Sequence, residues 1–136
     1  MRRSEEQVRR ELVDQWLRKA NEDIRAAAAL LAAEPPFLFP SCFHSQQAAE
    51  KYLKALLTWR QVEFPKTHAL GELLDLLPEG DAALAKALAG ATALNPYGVE
   101  VRYPSDQPEP TLDETAVALR LATQAREAVL RAIPSA

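Results

Sequence analysis

Few side chains in this 136-residue sequence are equipped for chemistry. There are two histidines, His44 and His68, and a single cysteine, Cys42. Zinc and similar ions need clustered His, Cys and carboxylate ligands, and no second ligand stands near either histidine at such a spacing, so no metal site is expected. His68 opens a short helix and suits a surface role, either starting that helix or pairing with a carboxylate. Cys42 falls in the first turn of a helix, where a thiol is acidified. No base neighbours it in sequence, and a partly buried structural thiol is the simpler reading. The four glycines, Gly71, Gly80, Gly90 and Gly98, are scattered and form no phosphate loop. No Ser or Thr sits in a nucleophile motif.

What remains is the stretch Tyr97-Gly98-Val99-Glu100-Val101-Arg102-Tyr103-Pro104-Ser105-Asp106. An arginine between aromatic neighbours meets a phosphate bidentately or stacks on a base. Alternatively, Arg102 pairs with a carboxylate such as Asp23 or Glu50 and pins the loop. The two readings are compatible in a groove.

The elements that would position these groups are helical. Val13, Leu17, Ala20, Ile24, Ala27 and Leu31 recur at spacings of three and four within residues 5–33. A second stripe, Trp16, Ala20, Asp23, Ala27 and Leu30, carries a carboxylate in its middle, read as a solvated edge residue, with a buried, paired role as the alternative. Pro35 and Pro36 stop this helix. Residues 41–60 form the next, with Pro40 as a break and Ser41 as N-cap. At 100° per residue its apolar side, from Ala48 through Tyr52, Leu53, Leu56 and Leu57 to Trp59, fills an arc of about 200°. That width predicts neighbours on more than one side: the centre of a bundle, or a bundle and a subunit interface at once. His44, Gln47, Lys51 and Lys54 line the polar side, while Gln46 falls inside the apolar arc.

Thr67 is expected to cap a short helix reaching Leu77, and Asp81 another over 82–94 with Leu84, Leu88 and Ala91 inward. Residues 95–110 hold too many prolines for a continuous helix. Thr111 and Glu114 form a capping box for a last helix to about Ile133, with Leu112, Ala116, Leu119, Ala122 and Val129 along its inner side. No β pattern of comparable quality appears. The expectation is one all-α domain over 1–136, an up-and-down four-helix bundle with an additional short helix.

The totals narrow the function classes. A 48% hydrophobic and 26% charged composition suits a soluble domain. The charged start Met-Arg-Arg-Ser-Glu-Glu lacks the apolar block of a secretory signal, and one cysteine fits a reducing cytoplasm. Net charge −3 with a pI near 5.4 argues against a dedicated duplex-DNA binder. Ten prolines and one Met suit a thermophilic source.

Four segments together carry a family resemblance: Trp16-Leu17-Arg18-Lys19-Ala20 with Asp23; Phe43-His44-Ser45-Gln46-Gln47-Ala48-Ala49-Glu50-Lys51; Lys66-Thr67-His68 with Leu70; and Val101-Arg102-Tyr103-Pro104. In this order they resemble the HEPN family, helical bundles related to the C-terminal domain of kanamycin nucleotidyltransferase. The resemblance implies a homodimer and pairing with a small, separately encoded nucleotidyltransferase, often as a toxin–antitoxin module. It places part of the surplus apolar arc in a dimer contact, with Gln46 setting register there, and makes Gln47 and Lys51 one wall of a groove. Many members are ribonucleases in which an Arg is followed, after four to six residues, by a His. Here no His follows Arg102, and Tyr103 does not match the tyrosine that follows that His in some members.

The reading that results is a non-catalytic HEPN protein without cofactor, metal or catalytic residues. Arg102, Tyr103, His44, Gln47 and Lys51 would contact a nucleotide or RNA, and Asp23, Gln46, Glu50 and His68 would be structural. The competing readings are a ribonuclease using His44 or His68 as a substitute base, and a plain protein-interaction bundle.

Overall fold

The computed structural model describes residues 2–77, 82–98 and 108–134. The described residues form five α-helices and one 3-10 segment: α1 Glu5–Ala32, α2 Leu38–Trp59, α3 Leu70–Asp75, α4 Ala82–Ala89, the 3-10 segment Gly90–Tyr97, and α5 Leu112–Ala132. There is no strand among the described residues. No described helix is long and apolar enough to cross a membrane.

Of the three long helices, α2 and α5 run one way and α1 the other. Asp23 of α1 faces Lys51 of α2, and Arg9 reaches the carbonyl of Trp59, so α1 and α2 are antiparallel. Cys42 and Thr115, near the start of α2 and of α5, touch at 3.5 Å. Asn21 of α1 meets both Tyr52 and Arg126. Thus α5 runs with α2 and against α1, while α4 and the 3-10 segment make the return.

At the centre lies α2. Ala48, Ala49, Tyr52, Leu53, Ala55, Leu56 and Leu57 are all fully buried within the single chain. The wide apolar arc is therefore consumed inside the bundle by α1, α3, α5 and the 3-10 segment. Each large side chain so covered contributes about 2 kcal/mol of transfer free energy. Gln46 is also fully buried, which removes it from any subunit contact and corrects the register role expected for it.

Several boundaries differ from expectation for identifiable reasons. Helix α2 begins at Leu38, so Pro40 lies inside its first turn, where a missing N–H leaves no bond unmade. Ser41 is not a cap: its hydroxyl donates to the Ala27 carbonyl of α1 at 2.8 Å. Nor is Thr67 an N-cap, since α3 is capped at Ala69 and the Leu70 N–H donates instead to the Asn95 side chain at 2.9 Å. The α4 helix tightens at Gly90 into 3-10 turns that carry Pro96 and continue to Tyr97, past the expected end at residue 94. Leu84, Leu88 and Ala91 face inward as read, and Asp81 lies outside the described residues.

The largest correction is on α5. Its capping box of Thr111 and Glu114 forms as expected, but its inner face is Thr115, Ala118, Ala122, Ala125 and Val129. Leu112 is 55% exposed and Ala116 is exposed. Small residues bring α5 close to α2, and the leucines rotate onto the outside and the seam with α1.

The N-terminal part of α1 clamps its neighbours. The Arg9 and Arg10 guanidinium groups each lie 4.3 Å from the Trp59 ring centroid. Arg9 donates to the Trp59 carbonyl and Arg10 to the Pro134 carbonyl, at the C-terminal ends of α2 and α5. After α2, Gln61 adopts a left-handed conformation with φ 59°, and the N–H groups of Gln61 and Val62 bond back to Thr58 and Leu57. This is a Schellman termination, normally made by glycine. Gln61→Gly is expected to raise unfolding stability by about 0.5–1 kcal/mol, because the relief of left-handed strain exceeds the entropy that glycine adds to the unfolded chain. Urea denaturation of the two proteins would measure it.

Candidate functional site

The polar side of α2 faces α1 and the link to α3, and two buried carboxylates organise it. Asp23 of α1, 8% exposed, accepts from His44 Nδ1 at 2.8 Å and from Lys51 Nζ. Glu50 of α2, 2% exposed, accepts from His68 Nδ1 at 2.8 Å and from Lys54 Nζ at 3.1 Å. A carboxylate only accepts, so each Nδ1 carries its hydrogen and each Nε2 is left for other partners.

Lys54, read as a polar-side residue, is only 7% exposed. Its ammonium lies 5.5 Å from the Trp16 ring centroid and 5.9 Å from that of Phe64. Those aromatic faces, together with Glu50, compensate the lost hydration. His68, by contrast, has a 72% exposed side chain resting on this buried pair.

Gln46 ties the two clusters into one strip. Its amide donates to the His68 carbonyl at 3.0 Å and accepts from Gln47 at 2.7 Å. Gly98 packs directly on it: a Cβ there would stand 3.2 Å from the Gln46 amide, too close without displacing a fully buried side chain. The end of the 3-10 segment and the His68 turn therefore share one buried amide.

The structure thus gathers His44, Gln47, Lys51, Asp23, Gln46, Glu50 and His68 on one side of α2. Arg102 and Tyr103 lie outside the described residues. Asp23 is not the solvated edge residue expected from sequence, because two hydrogen-bond donors that are distant in sequence, His44 and Lys51, converge on it. Its two oxygens, and those of Glu50, are engaged by Lys and His. Sequence reasoning missed the buried Glu50–Lys54 pair, although the i,i+4 spacing was a signal. It also missed Asn95 as the partner of α3, for which no local signal exists. Among the described residues no group of three or more His, Cys, Asp or Glu could hold a metal. Cys42 is fully buried and bonds to Thr115, the structural role expected for it.

Chemically the strip offers two imidazoles oriented by carboxylates, and lysines whose charge is already balanced. Behind it, Tyr52 is fully buried, and its hydroxyl donates to Asn21. Burial pushes its phenol up to about 12, against the opposing pull of Arg126 nearby.

Two outcomes follow from these burials. Glu50→Gln leaves the buried Lys54 without its counter-charge and is expected to cost about 3–5 kcal/mol. Asp23→Asn, whose partners are partly solvated, should cost about 1–2 kcal/mol; urea denaturation compares them. The folded state also holds the Tyr52 proton more tightly than the unfolded chain does. Its contribution is full below about pH 10 and is lost as pH rises toward 12. Stability should fall by about 2 kcal/mol more in wild type than in Tyr52→Phe across that window, read by denaturation at stepped alkaline pH.

The family model of the HEPN domain matches residues 13–132. No curated protein matches the chain. Among solved structures it is similar to TT1696 from Thermus thermophilus, with 30% identity and a TM-score of 0.73 over 89% of this chain and 98% of that one. It is also similar to ST0689, an archaeal HEPN homologue, with 25% identity and a TM-score of 0.66 over 88% and 95% of the two chains. With the fold, the residue match and these neighbours in agreement, the chain belongs to the HEPN domain family.

Proposed function

We propose that this is a non-catalytic HEPN protein. It assembles as a homodimer, pairs with a small nucleotidyltransferase in a toxin–antitoxin-like module, and presents the His44, Gln47 and Lys51 side of α2 to a nucleotide or RNA. The observation that carries the non-catalytic reading is the fate of the histidines. No His follows Arg102 in the sequence, and both histidines have Nδ1 committed to the carboxylates that hold the helices together. The lysines beside them are ion-paired as well. A strip balanced in this way suits recognition, through imidazole Nε2 and the Gln47 amide, better than it suits charge stabilisation at a cleaving phosphate. The dimer and the nucleotidyltransferase partner rest on the family resemblance.

A second reading draws on the same contacts. A carboxylate that fixes Nδ1–H is the arrangement that orients an imidazole as a general base, and His68 is well exposed. In that reading the protein is a ribonuclease with His68 or His44 as substitute base.

Three measurements separate the readings. Size-exclusion chromatography with light scattering should give a dimer, and a larger complex when the nucleotidyltransferase encoded by the adjacent gene is added. Structured RNA incubated with excess protein should stay intact, and calorimetric titration with ATP or AMP should give binding heat that Lys51→Ala reduces. A strict monomer with no affinity for the neighbouring gene product would overturn the proposal. RNA cleavage abolished by His68→Ala or His44→Ala would replace it with the second reading. Dimerisation without any nucleotide heat would reduce it to a protein-interaction bundle.

A further inference from the structure

The clasp made by α1 holds more positive charge than the fold neutralises. The guanidinium carbons of Arg9 and Arg10 each stand 4.3 Å from the centroid of one ring, that of Trp59. Twice that distance is the most that can separate them. Neither has a carboxylate partner among the described residues. Glu6 and Asp14, the acidic side chains about one turn before and after them on α1, are exposed and pair with neither. Arg60, the residue directly after the ring, brings a third positive charge to the same end of α2.

The donors of this pair are also undersubscribed. A guanidinium carries five N–H groups. Arg9 spends one on the Trp59 carbonyl at 3.3 Å, and Arg10 spends one on the Pro134 carbonyl at 2.9 Å. Arg9 Nε is buried and has no partner. Carbonyl oxygens accept hydrogen bonds but carry no net charge, so two like charges stay uncompensated on one ring. A single arginine would fasten that ring. The second adds a repulsion acting within one Debye length, and an oxyanion bound between or beside them removes it.

We propose that Arg9 and Arg10 form a binding site for a phosphate oxyanion, with Trp59 as the rigid support that sets their spacing. A guanidinium fork matches two phosphate oxygens at once. Stacking on the ring holds both side chains in place beforehand, so less freedom is lost on binding. The carbonyl ends of α2 and α5 would repel an anion, and these same two arginines already cap them. The chemistry is shared by a free phosphate and by the phosphodiester backbone of an RNA strand. The site lies outside the strip described above: Trp59 is about 12 Å along α2 from Lys51, and neither histidine takes part. It stands independently of the proposed function.

Calorimetric titration with inorganic phosphate at constant ionic strength tests the site. Wild type should bind with a dissociation constant in the millimolar range, and phosphate should raise its unfolding temperature. Arg10→Lys keeps the charge and a donor for the Pro134 carbonyl but loses the fork; affinity should fall about threefold while the unliganded unfolding temperature holds. Arg10→Gln can still serve that carbonyl and should weaken binding about tenfold. Arg120→Gln removes an exposed arginine elsewhere, on α5, and should leave binding unchanged. A single-stranded RNA oligonucleotide then identifies the source. Competition with phosphate that Arg10→Gln weakens assigns the RNA backbone, and no competition assigns a free phosphate. A flat phosphate titration, or binding heat indifferent to both Arg10 variants, overturns the site.

Discussion

A helix with apolar side chains around more than half of its circumference cannot be satisfied by one neighbour, and α2 is such a helix. Its cover comes from α1, α5, α3 and the 3-10 segment together, and each covering element is cut to that task. Helix α5 approaches with alanines at 118, 122, 125 and 128, which permit close packing at the expense of buried area per residue. Helix α3 spans only Leu70 to Asp75, and it closes over the core with Leu70 and Leu73 fully buried.

The polar third of α2 follows from the same constraint. Once the apolar arc is enclosed, Glu50 and Lys54 are buried at its edge, and they persist because each finds compensation: the carboxylate in Lys54 and His68, the ammonium in Glu50 and two aromatic faces. Asp23 does the same across the gap to α1. The site of interest is thus the seam where the bundle manages its buried charge. Recognition and stability draw on the same residues there, so their separation requires measurements that read binding and folding independently.

What the sequence revealed, and what it hid, divides by range. Short-range codes were readable: the Thr111–Glu114 box, the stop at Pro35 and Pro36, the stripe of α1, and the family order of the four motif segments. Pro40 and Ser41 misled because a proline in the first turn and a proline before a helix look alike in one dimension. Asp23 was misjudged because His44 and Lys51 reach it across the helix pair. The inner face of α5 was misjudged because hydrophobicity favours leucine, whereas the space beside α2 favours alanine. Asn95, which serves the first N–H of α3 from a distant turn, could only be found in three dimensions. At the site, the polar composition of α2 was legible, but its division into two carboxylate-centred clusters was not.

The clasp of Arg9 and Arg10 around Trp59 has a dynamic consequence. One turn of α1 supplies donors to the carbonyl ends of both α2 and α5 and stacks on the last ring of α2. Helix ends ordinarily fray independently, each within its own final turn. Here loosening one of the three removes partners from the other two, so this pole opens as a single cooperative unit. Its amides would share one protection factor in hydrogen exchange, set by the clasp rather than by any one helix.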